Sequence, residues 1–122
     1  MSFPLKTKQR AFKKTDRLNT ASEYTKVFSG AQKSTDRLFT VLAKKNKLTT
    51  ARLGLAIAKK SVKKAVDRNR IKRVVRESFR HQKRALSSID FVVLCRDKTG
   101  LASKNELALS IQSHWEKLAT DE

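Results

Sequence analysis

The chain has 122 residues, with 29 Lys and Arg against 11 Asp and Glu, a formal net charge of +18 and 39% hydrophobic residues. That is enough apolar material for one modest core, too little length for a second, and too apolar for a disordered polybasic tail. No apolar run approaches the ~18 residues of a membrane span, no signal-peptide apolar region opens the chain, and one cysteine, Cys95, excludes an internal disulfide and a Cys-rich zinc site; a cytoplasmic protein without membrane contact is expected.

Residues 1–19 hold six basic residues and one acidic, with Phe3, Leu5 and Phe12 at no clean period. They read as a basic N-terminal arm, ahead of a single domain over 20–119 and a tail over 120–122. Thr20-Ala-Ser-Glu23 matches a capping box. The short helix it opens carries Tyr24, Val27 and Phe28 on one side, and Gly30 is placed to stop it. Leu38 to Ala43 is a compact apolar run, expected as a strand. Lys44 to Thr50 is a polar turn, and Arg52 to Ala58 is a second strand, expected to pair with the first as a hairpin. In that second strand Leu53, Leu55 and Ile57 point one way, and Gly54, Ala56 and Ala58 the other. The small face is either packed closely by a helix or is the floor of a groove.

Residues 59–84 hold twelve basic and two acidic residues, a net +10 in 26 positions. Such a density without matching acidic residues at i+4 points to a polyanion site rather than a solvated helix face. At 100° per residue Ile71, Val74, Val75, Ser78 and Phe79 make one apolar stripe. Arg68, Asn69, Lys72, Arg73, Arg76 and Arg80 lie on a nearly opposite arc. Val62, Ala65 and Val66 would fall among the cations if the helix began at Lys59, so a start near Val66 or Asp67 is expected, with Asp67 as cap. Phe91-Val-Val-Leu-Cys95 is apolar on both faces, the pattern of a central strand. Ser103-Lys-Asn-Glu106 is a second capping box, and Leu107, Ile111, Trp115 and Leu118 give a C-terminal amphipathic helix. The order α-β-β-α-β-α makes one α+β layer structure.

The residues carry binding chemistry, not catalysis. There is no G-x-x-x-x-G-K, G-x-G-x-x-G, H-E-x-x-H or G-x-S-x-G. His81 and His114 read as surface residues, Asp67 and Glu77 sit among cations, and Asp90 reads as an isolated strand-edge carboxylate. No catalytic group and no metal site is therefore expected, and Cys95 belongs to the core. Arg68, Lys72, Arg76 and Arg80, about one turn apart, form a comb that can meet successive phosphates. Asn69 adds a donor and an acceptor for a base edge or a 2′-hydroxyl. Arg70 projects away from Asn69, to anchor the loop or touch another strand. Tyr24 and Phe28 either stack on unpaired bases or belong to the core.

Lys59-Lys60 and Arg68-Asn-Arg-Ile-Lys-Arg-Val-Val-Arg-Glu-Ser-Phe-Arg80 closely resemble the protein component of bacterial ribonuclease P. Arg52-Leu-Gly-Leu-Ala-Ile-Ala-Lys-Lys60, Glu23-Tyr-Thr-Lys-Val-Phe28 and Asp90-Phe-Val-Val-Leu-Cys95 are similar to that family's preceding strand, first helix and central strand, so the likeness covers roughly residues 16–118. The resemblance implies a single-domain α/β sandwich with a left-handed βαβ crossover, an exception to the usual hand. It also implies that catalysis belongs to a large RNA subunit, which removes the 5′ leader of precursor tRNA using Mg²⁺, with no cofactor held firmly by the protein. One protein per RNA is expected. Lys59, Lys60, Arg68, Asn69, Arg70, Lys72, Arg73, Arg76 and Arg80 would face the RNA subunit. Tyr24 and Phe28 would line the leader cleft, with Thr40, Leu42, Ala56 and Ala58 as its sheet side. Leu42 stands where some relatives place an aromatic. The alternative is a non-catalytic ribosome-associated RNA-binding protein or RNA chaperone built on the same basic helix. A sequence-specific DNA reader would want a second short helix at helix-turn-helix spacing, which is absent.

Overall fold

The first helix begins where its capping box places it. The Thr20 amide donates to Glu23 Oε1 at 3.1 Å, and the Glu23 amide donates to Thr20 Oγ1 at 3.2 Å. Helix α1 then runs Ala21–Phe28, and Gly30, with φ +86°, turns the chain into the sheet. The computed structural model describes residues 17–18, 20–48, 50–83, 85–86 and 88–120. The expected arm and tail lie outside the described residues, apart from Arg17, Leu18 and residue 120. After α1 come β1 (Gln32–Thr35), β2 (Phe39–Lys45), β3 (Arg52–Ala56), α2 (Ala65–Gln82), β4 (Ile89–Cys95), a 3₁₀ turn (Asp97–Leu101) and α3 (Lys104–Thr120). Among the described residues the architecture is a mixed α+β domain of three helices and one four-stranded sheet, with a strand, β1, that the polar sequence Gln-Lys-Ser-Thr did not announce.

The sheet order is β1-β2-β4-β3. The expected hairpin between the second and third strands does not form. Instead β4 lies between them, antiparallel to β2 and parallel to β3, with Leu42↔Val92 and Gly54↔Val92 in register. The reason is in β4 itself. Phe91, Val92 and Val93 are apolar on both faces and fully buried, which only an inner position satisfies. The hairpin that does form joins β1 to β2. Asp36 closes it, its Oδ1 accepting from the amides of Leu38 and Phe39, both at 2.9 Å.

One sheet face carries Phe39, Val41, Leu53, Phe91 and Val93 against α2 and α3, in the larger of the two cores among the described residues. Trp115 sits at its centre, edge-on to Phe91 at 5.0 Å and to Phe79 at 5.9 Å between ring centroids. The opposite face carries Leu42 and Val92 under Val27 of α1, together with Leu18. The Leu18 amide donates to Leu53 O at 3.0 Å, so Arg17 and Leu18 run along the outer edge of β3.

Three further expectations are corrected. Helix α2 starts at Ala65, because the Arg68 amide reaches the Lys64 carbonyl at 3.1 Å; Lys64 is the cap residue and Asp67 the third helical residue, 3.7 Å from Arg70. Asp90 is not isolated. It is buried, and its carboxylate accepts from Arg52 Nε at 2.9 Å, Arg52 Nη2 at 2.7 Å and Asn46 Nδ2 at 2.8 Å. His114 is not a surface residue. It is 1% exposed, with Nδ1 hydrogen-bonded to Ser34 Oγ at 2.7 Å and Nε2 3.3 Å from Asp36 Oδ2. These contacts, with Ser110 Oγ donating to Asp36 Oδ2 at 2.5 Å, tie α3 to the β1–β2 hairpin.

Burial raises the Asp36 carboxyl, but the Ser110 hydroxyl, the Phe39 and Leu38 amides and the His114 charge outweigh it and hold the pKa at about 2. A carboxyl depressed in the folded state adds stability above its unfolded pKa and loses it as the pH falls through the folded one. Discounted for partial exposure, the loss between pH 4 and pH 2 is about 1 kcal/mol. Thermal melts over that range should show Asp36→Asn falling less steeply than the parent protein. Parallel curves would remove the carboxylate from the account.

Candidate RNA interface

Asn69, Lys72, Arg73, Arg76, Glu77 and Arg80 line an open groove of about 340 Å³ along the outer side of α2. Their spacing of three and four places them on one helical arc, while Ile71, Val74, Val75 and Phe79 bury the other. Asn69 and Arg73 are exposed, and Lys72, Arg76 and Arg80 are half-buried. Glu77 tempers the far end: it pairs with Arg80 and lies 3.3 Å from His81 Nε2. The Arg80 hydrogen bond, ahead of weaker effects, holds the Glu77 carboxyl below its usual range. Cationic density is therefore greatest at Lys72, Arg73 and Arg76.

Arg68 and Arg70 leave this arc. Arg68 Nη1 donates to the carbonyls of Val62 at 2.9 Å and Lys63 at 2.8 Å. Arg70 donates to Ala102 O at 2.8 Å and Gly100 O at 3.2 Å. The middle residue of Arg-Asn-Arg thus faces the groove, while the flanking guanidiniums hold the turn before α2 and the 3₁₀ segment before α3. Lys59 and Lys60 stand exposed in that turn, where Ser61 and Val62 amides both donate to Ala58 O at 3.1 Å.

The second surface lies on the α1 side of the sheet. Arg52 Nη1 reaches Glu23 Oε2 at 2.6 Å, fixing the start of α1 over β3. At the far end Lys44 Nζ donates to Lys26 O at 3.1 Å and Ser29 O at 2.8 Å, fixing it over β2. The opposite charges of Glu23 and Asp90, with their hydrogen bonds, raise Arg52 further above its already high value, the Asp90 hydrogen bond most of all. Helix α1 therefore crosses the strands, covering the rows at Arg52–Asp90–Lys44 and Gly54–Val92–Leu42. The next row, Ala56–Leu94–Thr40, is only half-buried, and Ala58 beyond it is exposed. Leu42 is 9% exposed and packs under α1, whereas Phe28 is 51% exposed.

Tyr24 lies over Gly54 at the β3 end of this surface. A cleft of about 250 Å³ opens beside it, lined by Arg17, Leu18, Tyr24, Leu53, Leu55, Lys72 and Arg76. Lys72 and Arg76 line both the groove and the cleft, so one cationic path joins the α2 comb to the aromatic ring. Burial, then the nearby positive charge of Arg17, lowers the Arg76 pKa. Sequence reasoning placed Gly54 on the small face of β3 but missed Arg17 and Leu94 as parts of this surface. The signal for Leu94 was its alternation with Val92, two residues away on the same strand face.

The donor set does not fit a Mg²⁺ site. Asp67, Glu77 and Asp90 are each paired with an arginine. Among the described residues no group of three His, Cys, Asp or Glu comes together. His81 and His114 lie on separate helices and have separate partners, Glu77 and Ser34, and burial pushes the Cys95 thiol up to about 12. No helix among the described residues is long and apolar enough to cross a membrane.

The family model for ribonuclease P matches residues 12–119. The chain belongs to the ribonuclease P protein family. The ribonuclease P protein component of Methylococcus capsulatus is 42% identical over 115 residues, 94% of this chain and 90% of that protein. That of Legionella pneumophila is 47% identical over 112 residues, 90% of this chain and 95% of that protein. The solved ribonuclease P protein of Staphylococcus aureus superposes with a TM-score of 0.78 at 27% identity, covering 86% of this chain and 95% of that one. The Thermotoga maritima protein gives 0.73 at 27% identity, covering 83% and 96%. This is a protein component of ribonuclease P, a tRNA-processing ribonucleoprotein endoribonuclease, and an RNA subunit is its partner.

Proposed function

We propose that α2 docks the protein on the catalytic RNA subunit while the α1 side of the sheet holds the 5′ leader of precursor tRNA. The observation that carries this reading is the sharing of Lys72 and Arg76 between the α2 groove and the Tyr24 cleft. A strand leaving a phosphate-binding comb can pass directly onto an aromatic face and a floor of Thr40, Leu94 and Ala56. Asn69, Lys72, Arg73, Arg76 and Arg80 meet phosphates or sugar hydroxyls. Arg68 holds the turn before α2 and Arg70 the 3₁₀ segment before α3, and Lys59 and Lys60 extend the positive field of α2. Catalysis and the Mg²⁺ it requires belong to the RNA, with one protein per RNA in a cytoplasmic particle.

The test is reconstitution. Protein added to its RNA subunit at low Mg²⁺ should restore cleavage of precursor tRNA, and the protein alone should cleave nothing at any pH. Cleavage by protein cleared of contaminating nuclease, without RNA, would place catalytic groups in this chain. Failure to restore leader removal selectively would favour a general RNA chaperone.

A further inference from the structure

We propose that Gly54 is a positioning residue for Tyr24: the absence of a side chain there seats the tyrosine ring against β3 and so sets the leader cleft. The inference rests on the leader reading above. Gly54 lies mid-strand, on the α1 face between Arg52 and Ala56. Its φ is outside the left-handed region, which among the glycines of the described residues only Gly30 occupies. Backbone conformation therefore does not demand glycine here. Space does: a Cβ on Gly54 would stand 2.6 Å from Tyr24 Cε1, 2.7 Å from Cζ and 2.8 Å from Oη. All three atoms belong to the tip of the ring, and carbon atoms in packed interiors meet at about 3.5–4.0 Å.

Which part would yield to an added methyl follows from the neighbouring contacts. The start of α1 is fixed independently, through Glu23 to Arg52 at 2.6 Å and on to the buried Asp90. The Tyr24 ring is half-buried, with the cleft of Leu55, Lys72 and Arg76 beside it. An alanine at 54 would thus swing the ring off the sheet and leave the helix in place. Arg52 and Gly54, two residues apart on one strand face, divide the work: one clamps the helix, the other seats the ring. Gly54 touches no RNA in this arrangement and acts only through Tyr24.

The experiment is a double-mutant cycle in the assembled enzyme, with affinity measured for leader-bearing and leaderless tRNA. Gly54→Ala should weaken leader-bearing substrate roughly five- to tenfold, the low end of the range of one lost stacking contact, and leave leaderless tRNA unchanged. On a Tyr24→Ala background, where the methyl has room, it should add nothing. Tyr24 is the only tyrosine in the chain, so its ring signals in the NMR spectrum of the free protein report seating without RNA. They should move in Gly54→Ala while the rest of the spectrum stays. Unmoved ring signals, an effect that adds in full to Tyr24→Ala, or a Gly54→Ala protein that does not fold would each overturn the positioning role. If Tyr24→Ala itself leaves leader affinity intact, the leader reading fails, and the ring signals alone then decide the seating.

Discussion

Replacing Trp115 by alanine should cost the fold about 3–5 kcal/mol, the range for emptying a large buried aromatic site. Trp115 is 1% exposed and touches both layers at once. Its ring meets Phe91 of β4 and Phe79 of α2 edge-on, and its Nε1 donates to Ser78 Oγ at 2.9 Å. Truncation therefore opens a cavity, removes two aromatic contacts and strands the Ser78 hydroxyl. Against a domain stability of about 5–15 kcal/mol this is a large share. The melting temperature should fall by on the order of 10–20 °C. Trp115→Phe separates the terms: it keeps most of the ring and loses the hydrogen bond, worth about 1 kcal/mol. Urea or thermal unfolding checks both. A Trp115→Ala loss near 1 kcal/mol would mean the core collapses around the site, so that this ring is not what holds α3 to the sheet.

The elements legible in the sequence are those governed by neighbours a few residues apart. Both capping boxes appear with their expected partners, Thr20 with Glu23 and Ser103 with Glu106. The small-against-large alternation of β3 separates its two faces as read, and Tyr24 lies on the small one. The comb on α2 follows from a period of 3.6. What was hidden depends on partners far along the chain. Polar β1 has no apolar alternation, and its role as an edge strand comes from pairing with β2. Nearness in sequence suggested a β2–β3 hairpin, but two strands competing for the edges of β4 bury more apolar surface. His114 lies three residues from Ile111 and seven from Leu107, on the buried side of α3; that spacing was visible, but its partners Ser34 and Asp36 lie on elements not foreseen. Arg68 and Arg70 share the motif of Asn69, yet a guanidinium reaches far enough to find carbonyls behind its own helix. A helical wheel gives the direction of a Cβ, not the end of an arginine.

The protein presents two surfaces, charge on α2 and an aromatic face on α1. The two make different predictions. Losing Arg73, exposed on the comb, should weaken the RNA subunit complex whether or not the substrate has a leader. It should also flatten the slope of log affinity against log salt by close to one unit, as expected for one lost phosphate contact. Losing Tyr24 should leave that slope and the RNA subunit complex unchanged. Stacking on an aromatic ring is worth about 1–3 kcal/mol and tolerates any base, so its removal should weaken leader-bearing precursor tRNA by roughly 5- to 150-fold. The decisive measurement is the affinity of the assembled enzyme for leader-bearing and leaderless tRNA, compared between the parent protein and a Tyr24→Ala variant shown by circular dichroism and thermal melting to be folded. A loss confined to the leader-bearing substrate is the predicted result. Equal losses on both substrates, or none on either, would contradict it.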